Sequence, residues 1–236
     1  MSLNFVDTIK EYYSPDFNDQ AAKLLNESQQ GISNALSAII PVGLDGILNI
    51  ATSGKEGANI IFDMAKSGAD FLSEFPDVEN LQKGKETYIF ISAIFGNNEP
   101  AIIDAVSKYA GIQNASTSSL MALVIPATMR FLGKHAEKFD LSASGLSGFL
   151  SSQHNNISRS LPSDLLVIKN IPVSESLNAL KQNADITKTI KVTKTINEVK
   201  MMAGAEKPKS ERGMKWLLPV VVVIIIIALI YYFNSR

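Results

Sequence analysis

The chain has 236 residues, 46% of them hydrophobic, with a formal charge of −1 and no cysteine. That length allows one domain of ordinary size plus further segments, and the missing cysteines exclude a disulfide framework, a cysteine zinc site and a thiol nucleophile. The near-neutral total hides a split, because residues 1–150 hold 10 Lys+Arg against 17 Asp+Glu (net −7) and the remainder holds 12 against 6 (net +6). An acidic first part lacks the basic face that releases counterions from phosphates, so no nucleic-acid partner is expected.

The opening "MSLNFVDTIKEYY" carries no apolar signal-peptide core, which places the first part in the cytoplasm. Its pattern predicts an all-α, multihelical head over residues 1–152. In "SPDFNDQAAKLL", Ser14 fits an N-cap and Pro15 the first helical position. In "SQQGISNALSAIIPVGLDGIL", Ile32, Ala35, Leu36, Ile39, Ile40 and Leu44 recur at helical spacing. "TYIFISAIF" reads as a short buried helix or a strand. "GNNEPAIIDAVSKYAG" offers Asn98 as a cap, Pro100 in the first turn and Gly111 as a stop. "STSSLMALVIPATMRFLGKHAEK" is the longest candidate helix, and "SASGLSGFLSSQ" closes the set.

Two of these helices overlay at an offset of 85 positions. Leu36 meets Met121, Ile40 meets Ile125, Pro41 meets Pro126, Leu44 meets Met129 and Ile47 meets Leu132. A proline inside a helix loses one hydrogen bond and clashes with the carbonyl four residues back, here Ser37 and Ala122, at about 3 kcal/mol each. Carrying that cost twice at one register predicts a duplicated, proline-kinked helix motif. The two kinked helices either fill a core together or open a groove between them.

Residues 153–213 shift to Ser, Asn, Thr and Lys and read as a polar, basic stalk. Within it, residues 185–202 place Ile186, Ile190, Val192, Thr193, Ile196 and Val199 on one side and Lys188, Lys191, Lys194 and Glu198 on the other, with Lys200 on the apolar side. This is either a basic amphipathic helix lying on anionic lipid or a solvated tether. Residues 214–236 then hold an unbroken apolar run. Its span, about 216–233, covers roughly 27 Å as a helix, close to the ~30 Å of a bilayer core. Trp216 at one end and Tyr231 and Tyr232 at the other suit the two membrane interfaces. Lys207, Lys209, Arg212 and Lys215 precede the run and Arg236 alone follows it, so the positive-inside rule keeps the head cytoplasmic and the C-terminus outside. The expectation is a single-pass, tail-anchored protein of the bacterial inner membrane.

The stretches "SQQGISNALSAIIPVGLDGIL", "IFGNNEPAIIDAVSKYAGI" and "TSSLMALVIPATMRFLGKHAEKFDLSASGLSGFLSSQ" resemble the YidB-like bacterial family of domains of unknown function, DUF937. The resemblance covers roughly residues 3–155 and implies a multihelical head with a duplicated motif. Some relatives carry a transmembrane helix after the head and then an envelope-facing, peptidoglycan-binding domain. This sequence departs from those by stopping just past its apolar run, so their outward binding function does not transfer. No catalytic residues are established for the family.

The residues themselves offer little chemistry. His135 sits near a helix end, where positive charge suits the dipole, and His154 falls in the linker; neither has a ligand partner at i+3 or i+4. Asp16 and Asp19 lie in a first helical turn, where acids belong. There is no phosphate loop, dinucleotide turn or nucleophile elbow. No metal and no cofactor are expected. The function expected is a non-enzymatic interaction or scaffold domain at the inner membrane, holding an unknown protein partner or itself. The alternative is a lipid or small apolar ligand between the kinked helices, and the third reading is an enzyme with non-local residues.

Overall fold

The computed structural model describes residues 4–71, 78, 81 and 88–165. Among them the regular elements are all helical: α1 (Phe5–Lys10), α2 (Pro15–Leu25), α3 (Gln29–Thr52), α4 (Lys55–Phe71), α5 (Tyr88–Phe95), a 3-10 turn (Gly96–Asn98), α6 (Glu99–Ala110), α7 (Asn114–Lys138) and α8 (Ala143–Ser160). The ambiguous "TYIFISAIF" is the helix α5. Its "IFISAIF" part is too apolar to show an amphipathic period, which is why sequence spacing left helix and strand open.

Most local signals act as their chemistry dictates, although Asn98, expected to cap α6, has helical backbone angles and makes no side-chain cap bond. Ser14 Oγ accepts from the Phe17 N–H at 3.2 Å, and Pro15 opens α2. Ser28 Oγ accepts from Gly31 N–H to start α3, and Ser142 Oγ from Gly145 N–H to start α8. α2 stops at Asn26 (φ 54°) and α6 at Gly111 (φ 69°), both left-handed. Each stop is followed by a reverse hydrogen bond, Glu27 N–H to Ala22 O and Ile112 N–H to Ser107 O, so both ends close with a Schellman-type turn.

The 85-residue offset extends far beyond the proline helices. It carries α1 onto α5, α2 onto α6 and α3 onto α7 without a gap from residue 5 to residue 52. Buried Phe5, Val6 and Ile9 correspond to buried Phe90, Ile91 and Ile94. The left-handed Asn26 corresponds to Gly111. The exposed ion pair Lys23–Asp19 (2.6 Å) corresponds to Lys108–Asp104 (2.7 Å). Such pairs contribute a few tenths of a kcal/mol, so their value here is as a register mark. Pro41 and Pro126 are each the thirteenth residue of their helix. The head is therefore two four-helix repeats, α1–α4 and α5–α8.

The repeats do not pack as separate halves. α4 packs most extensively on α7 of the other repeat, and α8 on α3. Contacts between repeats come in related pairs. Glu27 Oε1 accepts from Gln113 N–H at 2.9 Å and Ser116 Oγ–H at 2.7 Å, supplying the acceptor that α7 lacks, since Gln113 does not cap it. The equivalent positions, Gly31 and Ile112, also meet: a Cβ on Gly31 would lie 2.5 Å from Ile112 Cγ2. α3 and α7 cross at the centre.

The last helix is longer than the composition shift implies. The sequence reading ends the head at residue 152 and takes "SSQHNNISRSLPSD" as linker, but α8 runs on to Ser160 and carries His154 on its exposed face. The reason is packing. Gln153 is buried and its Oε1 accepts from Phe5 N–H at 3.0 Å, giving α1 the cap that Asn4 does not supply. Ile157 is fully buried one turn later. The rest of the stalk, with the candidate helix at 185–202, and the apolar run at 216–233 lie outside the described residues.

Ile157→Ala, read by thermal or urea unfolding, is expected to cost about 2–5 kcal/mol, as for other fully buried Ile positions. Gly148→Ala on the exposed face of the same helix, with nothing within 4 Å of its Cβ, is expected to stabilise by about 0.5–1 kcal/mol. Equal, near-zero effects would mean that residues beyond 152 do not belong to the folded head.

Candidate functional site

The space between the two proline helices is where the sequence leaves room for a ligand groove. Ile39, Ile40 and Leu44 of α3 and Leu120, Met121, Val124, Ile125 and Met129 of α7 are buried with at most 1% exposure. Pro41 and Pro126 are buried within unbroken helices. At the crossing, a Cβ on Gly43 would fall well inside van der Waals contact distance of Ile125 Cδ1. The two helices are in close contact there, and the large side chains along both are buried. Trp216, Tyr231 and Tyr232, and the cations Lys207, Lys209, Arg212 and Lys215, lie outside the described residues.

An open cleft of about 780 Å3 lies where the α3–α4 turn meets the start of α8. Ala51, Ala58 and Phe62 give it an apolar floor; Lys55, Asn59, Asp63 and Ser144 are on its rim. Its volume falls within the range of small-molecule sites. Its hydroxyls are already engaged in structure. Ser147 Oγ–H donates to Ala51 O at 2.8 Å, tying α8 to α3, and Ser142 Oγ caps α8 while lying 2.9 Å from Ser144 Oγ. The cleft is built as a joint between helices.

The chemistry that sequence reasoning misjudged is at His135. A histidine near a helix C-terminus suggests a stabilising positive charge. Instead the ring stacks on Phe149 at 3.9 Å, meets Phe5 edge-on at 6.0 Å and packs against Phe139 at 4.7 Å. These aromatics come from α1, from α8 and from the end of α7, so the imidazole joins three segments. Burial among them, and secondarily the Lys138 cation, hold its pKa below the ordinary value. The imidazole is therefore held toward its neutral form. The local signal was His135 and Phe139 at i and i+4, at the last turn of α7 and its C-cap.

Three other buried polar groups stand out. Glu99, at the first position of α6, accepts from Ser92 Oγ–H at 3.0 Å, and burial raises its pKa. The Tyr13 phenol is buried without a hydrogen-bond partner among the described residues, and burial pushes its pKa up. Thr117 Oγ1 is likewise buried and unpartnered, at the position that Ile32 holds in the first repeat. Among the described residues, no observed contact joins these groups to another titratable side chain in a constellation that moves a proton or holds a nucleophile. Among the described residues no group of three or more His, Asp or Glu is placed to hold a metal.

Residues 7–135, more than half of the chain, match the family described as bacterial protein of unknown function (DUF937). The chain belongs to the DUF937 family. Neither the curated proteins nor the solved structures gave a match. The DUF937 match begins in α1 and ends within α7, at His135 itself. It therefore takes in both proline helices and the joint between the repeats. The last turn of α7 and the whole of α8, which close the fold around α1 and α3, lie beyond it.

Because the folded-state pKa of His135 is depressed, its contribution is fully present above about pH 6.5 and is lost as the pH falls through the folded value. Unfolding titrations of the parent chain should show stability falling on acidification below about pH 6.5. His135→Phe should flatten that limb. Identical limbs for the two proteins would mean that the histidine is as easily charged folded as unfolded.

Proposed function

We propose that this DUF937 protein is a non-enzymatic helical interaction domain, held at the bacterial inner membrane by the apolar run at 216–233 with the head on the cytoplasmic side. The observation that carries this reading is where the head's own apolar surface goes. α3 and α7 are long and apolar enough to cross a membrane by length and composition, yet 78% of each apolar window is buried inside the bundle. Both are spent on the core. The C-terminal run is proposed to give its apolar side chains to lipid, at roughly −4 to −6 kcal/mol for insertion from about a dozen Leu, Ile and Val residues.

The close approach of α3 and α7 at Gly43 and Ile125 favours protein interaction over the apolar-ligand reading, which needs space between those helices. The stalk's excess of Lys and Arg suits the anionic leaflet beside it. The acidic head is repelled by the same surface, so it stands away from the membrane and presents its helical faces to a protein.

Full-length protein in bacterial cells is expected in the carbonate-washed membrane pellet, released by detergent, with the head protected from protease added outside spheroplasts. Removing residues 214–236 should move it to the supernatant. Chemical crosslinking of the intact membranes should yield a discrete adduct of the head. A full-length chain that stays monodisperse in the supernatant without detergent would contradict the tether, and a pellet without any head adduct would contradict the scaffold role.

A further inference from the structure

Each repeat of the head is structurally incomplete. In α1–α4, the face of α3 around Gly43 is covered by Ile125 of α7, and the region around Ala51 is covered by α8, where Ser147 Oγ–H donates to Ala51 O. α4 in turn lies on α7, where a Cβ on Gly68 would come 3.0 Å from Met129 Cβ. Equivalent contacts run both ways, as Glu27–Ser116 and Gly31–Ile112 do. Two like units that exchange an equivalent helix through paired contacts have the geometry of a closed, isologous dimer. Here the two units are joined in one chain.

We infer that a second copy of this chain can supply the complementary repeat, giving a dimer in which α1–α4 of each copy packs on α5–α8 of the other. The contacts between repeats named above remain the same in that dimer. What differs is which chain provides each half, and this is settled by local concentration. In one chain the two halves are tied covalently, which raises the effective concentration of each for the other. Closed monomers are therefore favoured in dilute solution, and exchange becomes competitive where chains are dense during folding. The inference deepens the tethered-scaffold reading and rests on it for that density: confinement to a membrane concentrates the chains and makes self-association the partner choice requiring least new surface. The contacts themselves do not depend on the tether.

The absence of cysteine makes the test clean. Gly31 and Ile112 are adjacent across the repeats and buried, so they do not meet by collision of folded heads. Full-length chain carrying both Gly31→Cys and Ile112→Cys should close an internal disulfide under mild oxidant and run as a monomer on a non-reducing gel. Two differently tagged full-length chains, one with Gly31→Cys and the other with Ile112→Cys, are then co-expressed. Exchange predicts a mixed disulfide between the tags at about twice the monomer mass, lost on reduction. Ala51→Cys with Ser147→Cys provides a second pair across the other joint, should the tight space at Gly31 disturb folding. Internal closure of both double variants without any mixed disulfide would overturn the inference. The fractionation of the same cells separates the two ideas: a pelleted chain without mixed disulfide contradicts exchange alone, and a mixed disulfide in soluble chain contradicts the tether alone.

Discussion

The fold depends on the crossing of α3 and α7. Each helix carries a proline at its thirteenth position, and neither can bond through that residue to the carbonyl one turn back. In water such a helix has little reason to persist. Buried in the head it persists, because the eight large apolar side chains of α3 and α7 with at most 1% exposure are worth roughly 1.5–3 kcal/mol each, well above the ~3 kcal/mol loss at each proline. Gly43 lets the helices approach closely enough for that packing. The outer helices then complete the arrangement by crossing over, α4 to α7 and α8 to α3.

Much of this was legible in the sequence. The helices of the head follow from 3–4 spacing and from caps such as Ser14–Pro15 and Gly111. The duplication was legible at the prolines, whose shared register is hard to miss. Its full extent was hidden because most equivalent positions keep only burial, as Val6 and Ile91 do, or trade character, as Ile32 and Thr117 do. The crossover was not legible at all. Which repeat a helix packs on is a property of tertiary contact, and amphipathic spacing reports only that a face is apolar. The end of the head was misjudged for a related reason. "SSQHNNISRS" looks like linker by composition, and only two of its side chains, Gln153 and Ile157, are buried to hold it in place.

The site was less legible than the fold. Phe139, one turn after His135, was the local trace of the His135 cluster, but the partners Phe5 and Phe149 come from the far ends of the head. The close approach of α3 and α7 sets a limit on function too. A domain whose apolar faces are consumed by its own core has its exterior left for recognition, and its hydroxyl-lined cleft is already used to join helices. Membership of DUF937 gives the head a family and leaves its activity to be found by experiment. The surface and the internal symmetry are therefore the places to seek a role.

The central claim is that the two repeats form one cooperative core and stabilise each other. Native-state hydrogen exchange measures this directly, because it reports the opening free energy of each helix separately. The account predicts that the central amides of α3 and α7 are the slowest in the head and share one opening free energy, equal to that of global unfolding. If α1–α4 exchanged as a unit well before α5–α8, the repeats would be independent modules and the account would be wrong.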